Sequence, residues 1–149
     1  MSKVYTSELI IDVPIELVWS TLVDIKKWSQ WKPGHPWVIN NFETTSVVAG
    51  QAISYLRATP SSSDKEYTFI ISEWSPPNSI VFDWGNGQDS YFLSSFSENR
   101  TEVKTHNFRS PEKPSLFEKV SGLAMEFDYE DEVNKQLASL KSRCEIISA

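Results

Sequence analysis

This 149-residue chain has only one cysteine, Cys144, and two histidines, His35 and His106. A lone thiol excludes an internal disulfide and leaves too few sulfurs for a zinc knuckle. Neither histidine has a cysteine or carboxylate at ligand spacing, so no metal is expected, and no motif calls for a cofactor. Long apolar runs are also missing. No window reaches the length of a membrane span, and the opening MSKVYTSELIIDV lacks a signal-peptide core, so a cytoplasmic location is expected. Positive charge is scarce: 14 Lys+Arg stand against 20 Asp+Glu, a formal charge of −6, and the longest basic cluster is Lys26-Lys27. Nucleic acid and anionic membranes are therefore poor partners. Cys144 is a weak candidate nucleophile, because a reactive thiolate needs a cationic or helix-start setting and the periodicity puts this residue after the last helix.

Aromatic residues, by contrast, are plentiful. Four of the six tryptophans, Trp19, Trp28, Trp31 and Trp37, fall within IDVPIELVWSTLVDIKKWSQWKPGHPW, a segment too short to bury them all against itself. Tyr5 to Asp12 reads as a first strand. Pro14 suits a first helical turn, and Ile15, Val18, Trp19 and Leu22 form one apolar stripe behind it, which makes Trp19 a core residue. Asp24 is placed to cap a second short helix carrying Ile25 and Trp28, and KPGHP must then be a loop.

From Trp37 to Arg109 the pattern changes to six short runs rich in β-branched and aromatic residues, separated by turn chemistry. Connections this short imply antiparallel neighbours, because parallel pairing needs a crossover of about a dozen residues. SPEKPS at 110–115 ends the meander. Leu116, Val120, Leu123, Phe127, Val133, Leu137 and Leu140 then recur at helical spacing over about seven turns, with a bend expected at Gly122. Residues 1–149 thus read as a single α+β domain: a seven-stranded antiparallel sheet, two short helices after the first strand, and a long C-terminal helix covering the sheet's apolar face.

This order resembles the helix-grip, START-like fold of the SRPBCC superfamily, over nearly the whole chain. PIELVW at 14–19 and DIKKWSQWKP at 24–33 resemble its opening helices, and AGQ at 49–51 resembles its glycine turn. EWSPPNSIVFDW at 73–84 is similar to its Glu-x-x-Pro hairpin, and NRTEVKTH at 99–106 to its Gly-Thr-x-Val strand. The nearest groups are the polyketide cyclase/dehydrase-like proteins and the domain related to the activator of the heat-shock chaperone ATPase. Two positions depart from the pattern. Val13 stands where a capping side chain is usual, which leaves Asp12 to cap the first helix, and Arg100 replaces a glycine, which calls for another turn with Asn99 at positive φ.

Aromatic wealth without a catalytic set points, in a domain of this kind, to binding of a small hydrophobic or aromatic molecule between sheet and terminal helix. Two alternatives accompany it, polyketide cyclase or dehydratase-like catalysis and contact with a chaperone partner protein. Strand alternation puts Thr101, Val103, Thr105 and Asn107 on one face and Glu102, Lys104 and His106 on the other, toward water. Asp83 points away from the face shared by Ile80, Phe82 and Trp84. The acidic residues Glu126, Asp128, Glu130, Asp131 and Glu132 read as the solvated side of the long helix, with a cation or partner contact as their functional alternative. Trp31 and Trp37 flank the Pro/Gly loop and are expected at the mouth of the ligand space. Phe82, Trp84, Tyr91, Leu93, Leu116 and Phe117 are its expected apolar lining. Asn107 and Tyr91 are placed to orient a polar ligand atom, and a catalytic set remains unidentified.

Overall fold

The computed structural model describes residues 3–31, 37–39, 47–57, 66–85, 87–109 and 122–148. Strand β1 (Lys3–Ile11) leads into helix α1 (Ile15–Leu22) and a 3-10 helix, η1 (Ile25–Gln30). Six strands follow: β2 (Trp37–Ile39), β3 (Gln51–Arg57), β4 (Glu66–Ser75), β5 (Ser79–Asp83), β6 (Gly87–Ser97) and β7 (Arg100–Arg109). Helix α2 (Gly122–Ser148) ends the chain. The seven strands form one antiparallel sheet in the order β1-β7-β6-β5-β4-β3-β2, so the meander closes by pairing its last strand with the first.

Helix α1 buries the stripe anticipated from its spacing, with Ile15, Val18, Trp19 and Leu22 all in the core. Its N-cap position is Pro14 in an extended conformation, and no side chain caps it. Asp12, the expected cap, instead accepts a 2.8 Å hydrogen bond from Arg100 Nε. The far end of α1 has a side-chain partner: Trp28 Nε1 donates to the Leu22 carbonyl at 2.9 Å, which satisfies one of the acceptors a helix leaves open and fixes η1 against α1. Asp24 occupies the N-cap position of η1, where its backbone carbonyl, rather than its side chain, accepts from Lys27 N at 3.0 Å.

The sheet faces follow the expected alternation, with two register shifts. The β6–β7 hairpin turns without positive φ at Asn99. A register shift between Ser95 and Ser97 supplies the needed twist, and positive φ among the described residues is confined to Gly50 and Gly85. A second shift, between Ile71 and Glu73 on β4, brings Trp74 opposite Ile80, and its ring meets Trp19 at 5.1 Å.

Helix α2 runs alongside β1 and in the same direction. Ser7 Oγ donates to Asn134 Oδ1 at 2.7 Å, Lys141 Nζ to the Ile10 carbonyl at 3.2 Å, and Asp12 N to Glu145 Oε2 at 3.5 Å. Its Leu137, Leu140 and Cys144 enter the core, so Cys144 lies inside the helix rather than after it. Gly122 is the first residue of α2, and residues 110–121, with Leu116 and Phe117, lie outside the described residues.

Candidate ligand-binding site

The inner face of the sheet is graded. On β6 and β7 the paired residues run from Leu93 and Val103, through Tyr91 and Thr105, to Asp89 and Asn107. All six are buried, so the face changes from apolar to polar without leaving the interior. Strand β1 repeats the gradient, pairing Leu9 with Val103, Ser7 with Thr105 and Tyr5 with Asn107. Across the sheet the Asn107–Asp89 row continues into Phe82 and then Ile71, returning to apolar side chains.

Hydrogen bonds hold the polar end in place. Asn107 Nδ2 donates to Thr105 Oγ1 at 3.2 Å, and Thr105 Oγ1 donates to the Ser7 carbonyl at 3.5 Å. Asp89 Oδ2 accepts from Trp84 Nε1 at 2.8 Å. Asp89 is the one buried carboxylate among the described residues, and the sequence reading did not single it out. Its alternation with Tyr91 and Leu93 could have placed it on this face; the acidic side chain between Gln88 and Ser90 instead resembles a solvated strand position.

Aromatic rings form the neighbouring wall. Phe82 meets Trp28 edge-on at 5.1 Å, Phe69 at 5.8 Å and Tyr91 at 5.9 Å, and Trp84 lies 4.5 Å from Phe69. Such tilted and edge contacts are favourable beyond the area they bury. Phe82, Trp84, Tyr91, Leu93 and Asn107 are therefore brought together. Trp31 is not among them: it borders clefts beside Arg143 of α2. The backbone of Trp37 lies in β2, the edge strand.

The other candidates face outward. His106 is exposed and packs edge-on against Phe92 at 5.5 Å. Asp83 accepts from Gly85 N at 2.9 Å and from Gln88 Nε2 at 3.3 Å, which organises the β5–β6 turn. No cluster of His, Cys, Asp and Glu that could hold a metal occurs among the described residues. No helix among them is long and apolar enough to cross a membrane.

Two titrating groups are perturbed. The hydrogen bond from Arg100 holds Asp12 below the usual carboxylate range, with the Arg100 and Lys141 charges adding to the effect. Burial pushes the Cys144 thiol up, against a hydrogen bond with Thr21.

The chain is similar in structure to the Zhui aromatase/cyclase from Streptomyces sp. R1128, with a TM-score of 0.73 at 12% identity, over 97% of this chain and 94% of that one. It is also similar to the AHSA1-like protein from Aeromonas hydrophila, with a TM-score of 0.62 at 14% identity over 98% and 94% of the two chains. The di-domain ARO/CYC StfQ of the steffimycin biosynthetic pathway gives 0.67 at 12% identity, over 99% of this chain and 52% of that one. No curated protein matches in sequence. At these identities the likeness establishes the helix-grip fold alone. The model of the family described as "Activator of Hsp90 ATPase homolog 1-like protein" matches residues 12–132, most of the chain, and the protein belongs to that family, within the SRPBCC superfamily.

Proposed function

We propose that the protein binds a small, mainly apolar or aromatic molecule between the inner sheet face and α2, with the ligand's polar edge toward Asn107, Tyr91 and Asp89. The observation that carries this reading is the gradient on that face, from Leu93 and Val103 to Asp89 and Asn107, all buried. Buried polar groups are costly unless they are hydrogen-bonded, and an interior that keeps several at one end of an aromatic wall is suited to orienting a ligand that is polar at one edge. The rings of Phe82, Trp84 and Tyr91 supply the flat apolar surface. Screening planar aromatic compounds by thermal shift, followed by calorimetry, tests the reading, since binding to the native state raises the melting temperature. If no compound in a broad aromatic panel stabilises the protein, the reading fails.

A second reading is favoured by the Asp89 carboxylate at the polar end. Cyclase- or dehydratase-like chemistry on a polyketide-like chain needs a surface that folds the substrate and a group that takes or returns a proton, and Asp89, Tyr91 and Asn107 supply both hydrogen-bonding and proton-transfer capacity. The likeness to two aromatase/cyclase structures supports it at the level of fold. Turnover of a polyketide-like substrate that survives Asp89→Asn, Tyr91→Phe and Asn107→Leu unchanged would eliminate this reading.

A further inference from the structure

Two adjoining clefts lie away from the inner sheet face, where η1 packs on the C-terminal half of α2. One, of about 370 Å³, is lined by Gln30, Ser139, Ser142 and Ile146 among others. The second, of about 180 Å³, includes Leu17, Ser20, Asp24, Lys27 and Ile147. Trp31 and Arg143 border both. The walls thus combine apolar side chains with hydroxyls, two cationic residues and the carboxylate of Asp24, which is paired with Lys27.

Charge pairing singles out Arg143. Lys27 lies 3.8 Å from Asp24, Lys141 pairs with Glu145 at 2.8 Å, and Arg100 pairs with Asp12 at 2.8 Å. Arg143 donates instead to the neutral Gln30 Oε1 at 2.9 Å, and no carboxylate among the described residues pairs with it. Trp31, which shares both linings with it, presents its ring there, while its Nε1 is buried without a hydrogen-bond acceptor. A guanidinium without a carboxylate partner, on the walls of both clefts beside an aromatic ring, leaves one complementary chemistry unsupplied. That chemistry is an anionic acceptor on an apolar body.

We infer that the Trp31–Arg143 clefts are a second binding site, for a small carboxylic acid with an aromatic or branched apolar body. The carboxylate pairs with Arg143, whose planar fork suits it better than an ammonium would, and displaces or shares the Gln30 contact. The apolar body lies along Trp31, Ile146 and Ala138. The site is separate from the inner-face reading and stands without it.

The probe is 2-naphthoate, with neutral 2-naphthamide as its isostere, titrated into the full chain while the tryptophan indole N–H signals are followed by NMR. Trp31→Phe identifies its own signal. We expect 2-naphthoate to move the Trp31 signal and to bind at least about tenfold more tightly than the amide, as is typical of a charge-assisted bond. Arg143→Gln should abolish that preference, and Arg143→Lys should restore only part of it. Circular dichroism of each variant confirms that it folds. Equal affinity for acid and amide, a preference that survives Arg143→Gln in a folded protein, or movement of the Trp84 signal with Trp31 unmoved, each overturns the proposal. The last outcome would place the probe on the inner face instead.

Discussion

Trp84 donates its indole N–H to Asp89 at 2.8 Å, joining the aromatic wall to the buried carboxylate across the β5–β6 hairpin. One ring therefore has two tasks. Its face packs on Phe69, while its edge supports an acceptor that the apolar surroundings would otherwise penalise. Trp84→Phe keeps much of the packing and deletes the donor. The expected cost is about 1–3 kcal/mol in urea unfolding, with affinity for an inner-face ligand also reduced. A variant as stable as the wild type would mean that the hydrogen bond carries no weight.

Trp19 and Trp31 should respond differently to truncation. Trp19 is 8% exposed and packs against Trp74, so Trp19→Ala should leave a cavity and cost about 3–5 kcal/mol. Trp31 is partly exposed and borders open clefts, so its truncation should cost less, about 1–2 kcal/mol. Equal losses in parallel denaturation curves would contradict this division.

Much of this was legible beforehand, for physical reasons. The α1 stripe, the meander and the faces of β5 and β7 follow from side-chain periods of about 3.6 and two, which need no tertiary information. What escaped depended on contacts distant in sequence. Asp12 is drawn to Arg100 rather than to the helix start, across 88 positions. The β4 shift that turns Trp74 toward Trp19 leaves no mark in the alternation of ISEWS. Trp31 follows η1 to the α2 side because Trp28 Nε1 fixes that short helix on Leu22. Asp89 was overlooked because composition assigns carboxylates to water, whereas a hydrogen bond from Trp84 supports its burial.

The Asp12–Arg100 contact predicts an acid-sensitive contribution to stability. The folded-state pKa of Asp12 is depressed, so the stabilisation is present above the unfolded-state value and is lost as pH falls through the folded one, which places the loss below about pH 4. Arg100→Gln should flatten the acid limb of a stability-against-pH curve relative to the wild type. Superimposable acid limbs would show that the pair contributes nothing.

Cys144 should resist modification. It is fully buried, and burial raises its pKa, so the thiol stays protonated at neutral pH and out of reach of reagents. Iodoacetamide should label it only after denaturant is added. The raised pKa also means that its contribution to stability is intact at neutral pH and declines as pH rises above about 9. Rapid labelling of the native protein would contradict the packing of α2 against α1.

The central claim is an inner-face site with an apolar wall and a polar end. The most direct measurement is a map of backbone amide shifts as the planar aromatic compound that stabilises the protein most in the thermal screen is titrated in. The account predicts that the changes concentrate at Phe82, Trp84, Asp89, Tyr91, Thr105 and Asn107, and that Asn107→Leu weakens binding about tenfold, the equivalent of one hydrogen bond of about 1.4 kcal/mol. Changes confined to the outer face around Phe92 and His106, or an affinity unaltered by Asn107→Leu, would contradict it.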